Sequence, residues 1–273
     1  MNLNHYANQP FPFALHGDDA ITFSVLSRIL NGPCSEIYTD GERVMICLSA
    51  RPYPVWVWCR DESDAESVAA VADCLREHFP PAEGYRYNLS YGMLERLRDM
   101  DAELARLHIQ TNLLSYRLDA LLPADHPCDG RMEAATMDRE EELAGHFQAA
   151  IREMEHMERP LEDCRGVVRE KIESGRQFIW LDGEGELAAL TAYNVVGAYG
   201  YVSGVYTLPA RRRQGYAMNL VHDVTAHVLE EGLTPILYTD ADYGASNACY
   251  QKIGYRQVGS LCTVAEHKDR TFS

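Results

Sequence analysis

The stretch Thr207-Leu208-Pro209-Ala210-Arg211-Arg212-Arg213-Gln214-Gly215-Tyr216-Ala217 decides how the C-terminal half of the chain is interpreted. It follows a strand-like run, Tyr199 to Tyr206, and opens a helix-like segment, Gln214 to Glu231. The first N–H groups of a helix have no intrahelical partner and carry partial positive charge, so a helix start attracts anions. Because Gly215 has no Cβ and arginines pair with phosphate oxygens, we interpret the stretch as a pyrophosphate cradle.

A second motif, about thirty residues further on, runs from Ser246 to Tyr255. Asn247 and Tyr250 are three residues apart, so in a helix they share one face. Gly254 is placed to end this short helix in a left-handed conformation. The motif therefore predicts a short helix that presents an amide and a phenol together.

In these two motifs the sequence resembles the GNAT superfamily of N-acetyltransferases. That family carries Arg/Gln-x-x-Gly-x-Gly/Ala between a strand and a helix, which Arg212 to Ala217 match. Its later Asn-x-x-Tyr/Phe…Gly-Tyr/Phe signature is matched by Asn247, Tyr250, Gly254 and Tyr255. The resemblance covers about Glu133 to Val264 and implies the order strand, two helices, three strands, helix, strand, helix, strand.

The resemblance implies acetyl-CoA as the acyl donor. Main-chain groups of the strand before the cradle would bind the pantetheine arm and the thioester carbonyl, and Asn247 would bind the arm or fix its own turn. The predicted donor-binding residues are Val205, Tyr206, Thr207, Arg212, Arg213, Gln214, Gly215, Tyr216, Ala217, Asn247 and Tyr250.

Tyr250 is the candidate general acid, since a phenol with a pKa of about 10 is protonated at neutral pH. The alternative is that it only packs against the donor. A substrate amine is mostly protonated at pH 7, so a proton acceptor is needed as well. Asp240, at the end of the strand-like run Ile236–Asp240, is the candidate base, and the alternatives are Asp242, Glu186 and Glu184.

Composition excludes several other classes of protein. The formal net charge is −16, and lysine occurs only at positions 171, 252 and 268, which argues against nucleic-acid binding and favours a cationic acceptor. The eight cysteines are scattered without a CxxC pair, which favours free thiols in the cytoplasm and no metal site. No apolar run reaches eighteen residues and the N-terminus lacks a secretion signal, so we expect no membrane partner.

The 273 residues predict two domains in a mixed α/β fold with a mixed sheet. A smaller α/β domain, which weakly resembles a degenerate acetyltransferase-like domain, would occupy residues 1–120, with a linker at 121–130 and the GNAT-like domain at 131–273. Within the first domain, Val44–Leu48 and Val55–Trp58 read as strands. A capping box at Ser63 to Glu66 predicts one helix and Tyr87–Arg106 a second.

The sequence thus predicts an acetyl-CoA-dependent N-acetyltransferase acting on a primary amine of a small molecule or peptide, with a homodimer as a further possibility. The first alternative is a non-catalytic acyl-CoA-binding or sensing protein, because the base is undefined and no cradle occurs in the first 120 residues. The second alternative is an acyltransferase that uses a longer acyl group or a hydroxyl acceptor.

Overall fold

A computed structural model describes residues 1–32, 34–124, 128–155 and 157–266. Its mixture of helices with parallel and antiparallel strands confirms the predicted α/β class. In chain order the elements are β1 (Asn4–Tyr6), α1 (Asp19–Thr22), α2 (Ser24–Leu30), β2 (Glu36–Thr39), β3 (Val44–Leu48), β4 (Val55–Cys59), α3 (Ala65–His78), β5 (Tyr87–Leu89), α4 (Tyr91–Met100), β6 (His108–Leu118), β7 (Arg131–Ala134), α5 (Glu140–Glu155), α6 (Leu161–Glu173), β8 (Gln177–Leu181), β9 (Leu187–Val196), β10 (Tyr199–Thr207), α7 (Tyr216–Glu230), β11 (Thr234–Asp240), α8 (Gly244–Ile253) and β12 (Tyr255–Ala265).

The chain divides into two compact units that differ from the predicted division at residues 121–130. The first unit consists of Met1–Ser115, Thr239–Tyr243 and Gln257–Ser273, and the second of Tyr116–Tyr238 and Gly244–Arg256. Most of β12 falls in the first unit because it pairs antiparallel with β5, with Cys262 opposite Leu89. Hydrophobic spacing along one chain segment does not reveal such a distant partner. Residues 125–127 of the predicted linker lie outside the described residues.

In the first unit the strands follow the order β1-β2-β3-β4-β5-β12-β6. Neighbours from β1 to β4 are antiparallel, and α3 connects β4 to the parallel strand β5. Every residue of β3 and β4 is buried, which explains their unbroken apolar runs. The start of α3 corrects the predicted capping box: Asp64, not Ser63, is the N-cap, and its carboxylate accepts the N–H of Glu66.

The predicted single helix over Tyr87–Arg106 is wrong. Tyr87–Leu89 forms the buried strand β5, and the ten-residue helix α4 begins only after Ser90. The hydroxyl of Ser90 accepts the N–H of Met93 and caps this helix. The strand is three residues long, too short for a period-2 pattern to be distinguished from the helical pattern that follows it.

In the second unit the strands follow the order β11-β10-β9-β8-β7. β7 to β10 are antiparallel neighbours, and α7 connects β10 to the parallel strand β11. Helix α7 buries one apolar face, on which four residues are each 0% exposed: Leu220, Val221, Val224 and Val228. Another core cluster gathers side chains of α5, α6 and β8 to β10, among them Leu143, Val168, Ile179, Leu190 and Tyr206.

Candidate functional site

The predicted cradle lies at the N-terminus of α7 in the second unit. Gly215 is the N-cap residue and has a φ of 89°, a left-handed conformation that favours glycine. No side chain caps this helix start, and its first turn contains no acidic residue. Asn219 holds the carbonyl of Gly215 through its backbone N–H (3.1 Å) and its side-chain Nδ2 (3.0 Å). The first-turn N–H groups of α7 therefore suit an external anion.

The three arginines before Gly215 play different structural roles. The Arg211 guanidinium lies 2.8 Å from the carboxylate of Asp182, and that of Arg212 lies 2.7 Å from Glu153. The hydrogen bond to Glu153 raises the pKa of Arg212. Arg213, with a φ of 61°, forms no ion pair with any residue that the structure describes. Phosphate binding by this stretch would therefore depend on main-chain N–H groups and Arg213 more than on Arg211 or Arg212.

Strand β10 is irregular at the predicted donor-binding positions. Its register with β9 shifts between Ser203 and Tyr206, so β10 has one residue more than its partner there. Its parallel pairing with β11 ends at Val202, opposite Leu237. Residues 205–207 lie beyond that last pair, so their main-chain groups on the β11 side have no ladder partner there. The edge of β10 that faces β11 is thus unpaired at the positions expected to bind the pantetheine arm.

A side-chain network joins this irregular strand to the cradle and to α5. Nε of Arg212 donates to the carbonyl of Thr207 at 3.2 Å, and the hydroxyl of Tyr206 lies 3.5 Å from Oε2 of Glu153. The Arg212 guanidinium also lies 5.6 Å from the centre of the Tyr206 ring. Glu153 was not predicted from the sequence, because its partner on the cradle is 59 residues away.

Helix α8 brings Asn247 and Tyr250 together on one face, as predicted. Both contact Tyr116 of β6: its hydroxyl donates to Oδ1 of Asn247 at 3.5 Å, and its ring centre lies 6.4 Å from that of Tyr250. Tyr250 is 8% exposed, and burial raises its pKa. No described residue forms a hydrogen bond with its hydroxyl. Tyr116 was missed because no strand was predicted there, although Leu114, Tyr116 and Leu118 alternate as strand residues do.

Gly254 ends α8 with a φ of 112°, which confirms the predicted left-handed end. A Cβ at this position would lie 1.9 Å from the carbonyl oxygen of Ala120, so no other residue fits without a backbone shift. The adjoining segment is held by the bond from the N–H of Leu122 to the carbonyl of Ile253, at 2.9 Å. Glycine is thus required here both for its φ and for the close approach of a second backbone segment.

The candidate bases lie in different units. Asp240 and Asp242 belong to the first unit, and the carboxylate of Asp240 accepts the N–H of Asp242 at 2.9 Å. Burial, and then the negative charge of Asp242, raise the pKa of Asp240. Glu184 and Glu186 are exposed residues of the β8–β9 turn in the second unit, and their N–H groups bind the carboxylate of Asp182.

All eight cysteines are free thiols. In the described ranges no group of three or more His, Cys, Asp or Glu side chains is arranged to bind a metal ion. None of the helices within those ranges combines the length and the apolar character needed to cross a bilayer.

Comparison with known protein families matches one region of the chain. Residues 183–269 match the family model described as FR47-like protein. No curated protein matches the sequence.

Three solved structures are similar along most of the chain. A GNAT-family acetyltransferase from Colwellia psychrerythraea has a TM-score of 0.58 at 13% identity, over 93% of this chain and 99% of that one. A GCN5-related N-acetyltransferase from Sphaerobacter thermophilus reaches 0.66 at 13%, over 84% and 78%. Another from Kribbella flavida reaches 0.55 at 16%, over 81% and 86%. The predicted resemblance is confirmed: the chain has the GNAT acetyltransferase fold, with an FR47-like region at residues 183–269.

Proposed function

We propose that the protein is an acetyl-CoA-dependent N-acetyltransferase that transfers the acetyl group to a primary amine. The observation that carries this proposal is the helix start at Gly215, with a φ of 89°, no side-chain cap and no acidic residue in the first turn. It lies eight residues after the end of β10, whose pairing with β11 ends at Val202 and whose register with β9 shifts between Ser203 and Tyr206. An anion site beside an open strand edge fits a donor that carries a pyrophosphate and an extended amide arm.

The donor would be held mainly by main-chain groups. N–H groups of residues 213–217 would bind the pyrophosphate, and Arg213 would add a positive charge. Residues 205–207 would bind the pantetheine arm and place an N–H where the thioester carbonyl oxygen gains negative charge. Acetyl-CoA supplies the activated acetyl group, and the protein orients it.

Tyr250 would protonate the leaving thiolate. Burial raises its pKa, so its hydroxyl stays protonated throughout the neutral and mildly alkaline range. The contact between Tyr116 and both Asn247 and Tyr250 would fix the orientation of this helix face.

Asp240 would accept the proton of the amine, directly or through water. Its raised pKa makes it a stronger base than an ordinary carboxylate, whereas Glu184 and Glu186 lie exposed in a turn. We expect the rate to fall on the acidic side as Asp240 is protonated, at a higher pH than for an ordinary aspartate. The Asp240→Asn variant should lack that acidic limb, and a rate profile unchanged by this substitution would exclude the role.

The acceptor would be cationic in solution. A net charge of −16 attracts ammonium groups and repels acidic substrates, which favours amines of small molecules or peptides over anionic acceptors. The GNAT-family structure from Colwellia psychrerythraea, which aligns with 93% of the chain, supports a tandem architecture.

Calorimetric titration with acetyl-CoA tests the proposal, with Gly215→Val as the control variant. Valine is disfavoured at a φ of 89°, and its side chain would block the anion, so affinity should fall on the order of 100-fold. Thermal unfolding measured in parallel establishes that the variant is folded. Equal binding by both proteins would place the donor elsewhere, and no binding by the wild type would rule out the proposal.

An amine screen then separates catalysis from sensing. Product formation with any primary amine supports the transferase. Tight binding of acetyl-CoA without turnover of any amine or hydroxyl compound would instead support the non-catalytic acyl-CoA-binding alternative.

A further inference from the structure

The cradle stretch is connected on both sides of Gly215 to the β8–β9 turn, which lies about thirty residues earlier in the chain. Before Gly215, Arg211 pairs with Asp182 at 2.8 Å. After it, the hydroxyl of Tyr216 donates to Oδ1 of Asp129 at 2.9 Å, and Oδ2 of Asp129 accepts the N–H of Gly183 at 2.9 Å. The residues Asp182 and Gly183 are adjacent, so one turn is connected to both sides of Gly215, directly through Arg211 and through Asp129 to Tyr216.

Asp129 is itself fixed in place. Its carbonyl accepts the indole N–H of Trp180 at 3.0 Å, so its backbone is attached to β8. A Cβ on Gly183 would lie 2.7 Å from Oδ2 of Asp129, so the glycine permits the close approach of the carboxylate. The carboxylate therefore has a defined position between the turn and α7.

Tyr216 connects the fixed carboxylate of Asp129 to the backbone of the cradle. It is the first residue of α7 and follows Gly215 directly, and its side chain is 4% exposed. Burial and the hydrogen bond to Asp129 raise its pKa to about 12, so the hydroxyl remains a donor at neutral pH. Because the Tyr216 ring is hydrogen-bonded at its hydroxyl end, it restrains the backbone of the first turn of α7, whose free N–H groups would bind the anion.

Charge alone disfavours a carboxylate at position 129, close to the proposed pyrophosphate site. An aspartate near a pyrophosphate site repels the ligand, and the two groups that hydrogen-bond its carboxylate among the described residues, a phenol and a backbone N–H, are neutral. The presence of Asp129 is explained if the ordering of the cradle backbone strengthens donor binding by more than the repulsion between the two negative charges weakens it.

We propose that Asp129 is a positioning residue for donor binding: it fixes Tyr216 against the β8–β9 turn and so preorganises the N–H groups of the cradle. This inference rests on the proposed function, because it takes acetyl-CoA as the ligand of the cradle. It predicts an effect on donor affinity that depends on hydrogen-bond geometry and not on the charge of Asp129.

The test measures the Kd for acetyl-CoA by calorimetry in Asp129→Ala, Asp129→Asn and Tyr216→Phe. Alanine removes both hydrogen bonds and phenylalanine removes one, so both variants should bind about tenfold more weakly. Asparagine can accept from Gly183 through its oxygen and donate to the tyrosine hydroxyl through its nitrogen, so it should retain wild-type affinity or exceed it. The double variant Asp129→Ala/Tyr216→Phe should bind like Asp129→Ala alone, because both changes break the same connection.

Thr225→Val is the matched control. It removes another buried hydroxyl of α7, which bonds the Tyr255 hydroxyl at 2.8 Å, nine residues beyond Tyr216. It should lower the melting temperature and leave the Kd within about twofold of wild type. All titrations are run well below the lowest melting temperature of the set.

The outcomes separate the inference from the proposed function. Weaker binding by Asp129→Ala with recovery in Asp129→Asn supports the positioning role. Equal affinities in all variants, or equal changes in the alanine and asparagine variants, would overturn it while leaving the acetyltransferase proposal intact. Failure of the wild type to bind acetyl-CoA would overturn both.

Discussion

The two halves of the chain contain the same succession of elements and differ where chemistry is expected. From β1 to β6 and again from β7 to β12, the order is strand, two helices, three strands, helix, strand, helix, strand. In both, the fourth and last strand of the antiparallel set is followed by a helix and a parallel strand: β4, α3 and β5, then β10, α7 and β11. One architecture therefore carries two different strand-to-helix junctions.

At the junction between β4 and α3, side-chain carboxylates of the junction itself bind the free groups of the helix start. Asp64 caps the helix by accepting the N–H of Glu66 at 3.2 Å and the hydroxyl of Ser67 at 2.6 Å. Glu66 adds a negative charge in the first turn, and Asp61 accepts from Ser63 just before it. These groups satisfy the helix start internally and would repel a phosphate. The junction before α7 has Gly215 in place of an acidic cap.

The helices that follow the parallel strands differ in the same way. Both α4 and α8 are ten residues long. The fourth and seventh residues of α8 are Asn247 and Tyr250, whereas those of α4 are Leu94 and Leu97, which are 2% and 0% exposed. The same topology therefore accommodates a helix start without a side-chain cap, at Gly215, and a helix start capped by an aspartate, at Asp64. Of the two halves, the second has both predicted features: the glycine helix start and the pair Asn247 and Tyr250 on one helix face.

Removal of the Tyr250 hydroxyl should have the largest effect. Tyr250→Phe makes this position apolar, as Leu97 is in α4, and turnover should fall by roughly 10²–10⁴-fold if the phenol is the general acid. The Kd for acetyl-CoA should change little, because the ring and its packing against Tyr116 remain. Steady-state kinetics with a responsive amine, together with calorimetry, measure both quantities. An unchanged kcat would make Tyr250 a packing residue.

Transfer of the acidic junction to α7 should have the next largest effect. Ala217 is the second residue of α7, as Glu66 is of α3, so Ala217→Glu gives the cradle the charge found in the first half. Two like charges about 5 Å apart repel by about 3 kcal/mol at an effective dielectric of 20, so acetyl-CoA affinity should fall about 100-fold.

Ala217→Gln is the control for side-chain size in that experiment. If glutamine weakens binding as much as glutamate does, then bulk and not charge closes the site. In that case the acidity of the α3 junction would not explain the difference between the halves.

Changes at Asp64 should have the smallest effect on binding. Asp64→Ala removes the cap of α3 and should lower the melting temperature, while acetyl-CoA affinity stays within about twofold of wild type. Hydrogen bonds from Ser67 lower the pKa of Asp64 in the folded protein. Its carboxylate therefore stabilises the fold fully above the unfolded pKa of about 3.9, and this contribution is lost as pH falls through the lower folded value.

Asp64→Asn isolates that titration, because asparagine caps a helix without carrying a charge. Its melting temperature should depend less on pH below about 4 than that of the wild type. A large loss of acetyl-CoA affinity in either Asp64 variant would mean that the first junction also binds the donor.

Local patterns in the sequence were sufficient for several features of the second half. The strand that begins at Tyr199, the helix start at Gly215 and the end of α8 at Gly254 are all set by neighbours within one or two turns. The short strand Tyr87–Leu89 and the strand His108–Leu118 were not predicted, since their burial depends on partners far along the chain. Tyr116, Glu153 and Asp129 were missed for the same reason.

Sequence patterns alone were enough to predict the α/β class, the glycine helix start at Gly215 and the shared face of Asn247 and Tyr250. Each depends on φ preference or on the periodicity of hydrophobic residues, which act between near neighbours. Tertiary packing, in contrast, selected Asp182 and Glu153 as the partners of Arg211 and Arg212, and β5 as the partner of β12. Ion pairs and strand partners across 29 to 175 residues are selected by packing of the whole chain, which no local pattern encodes.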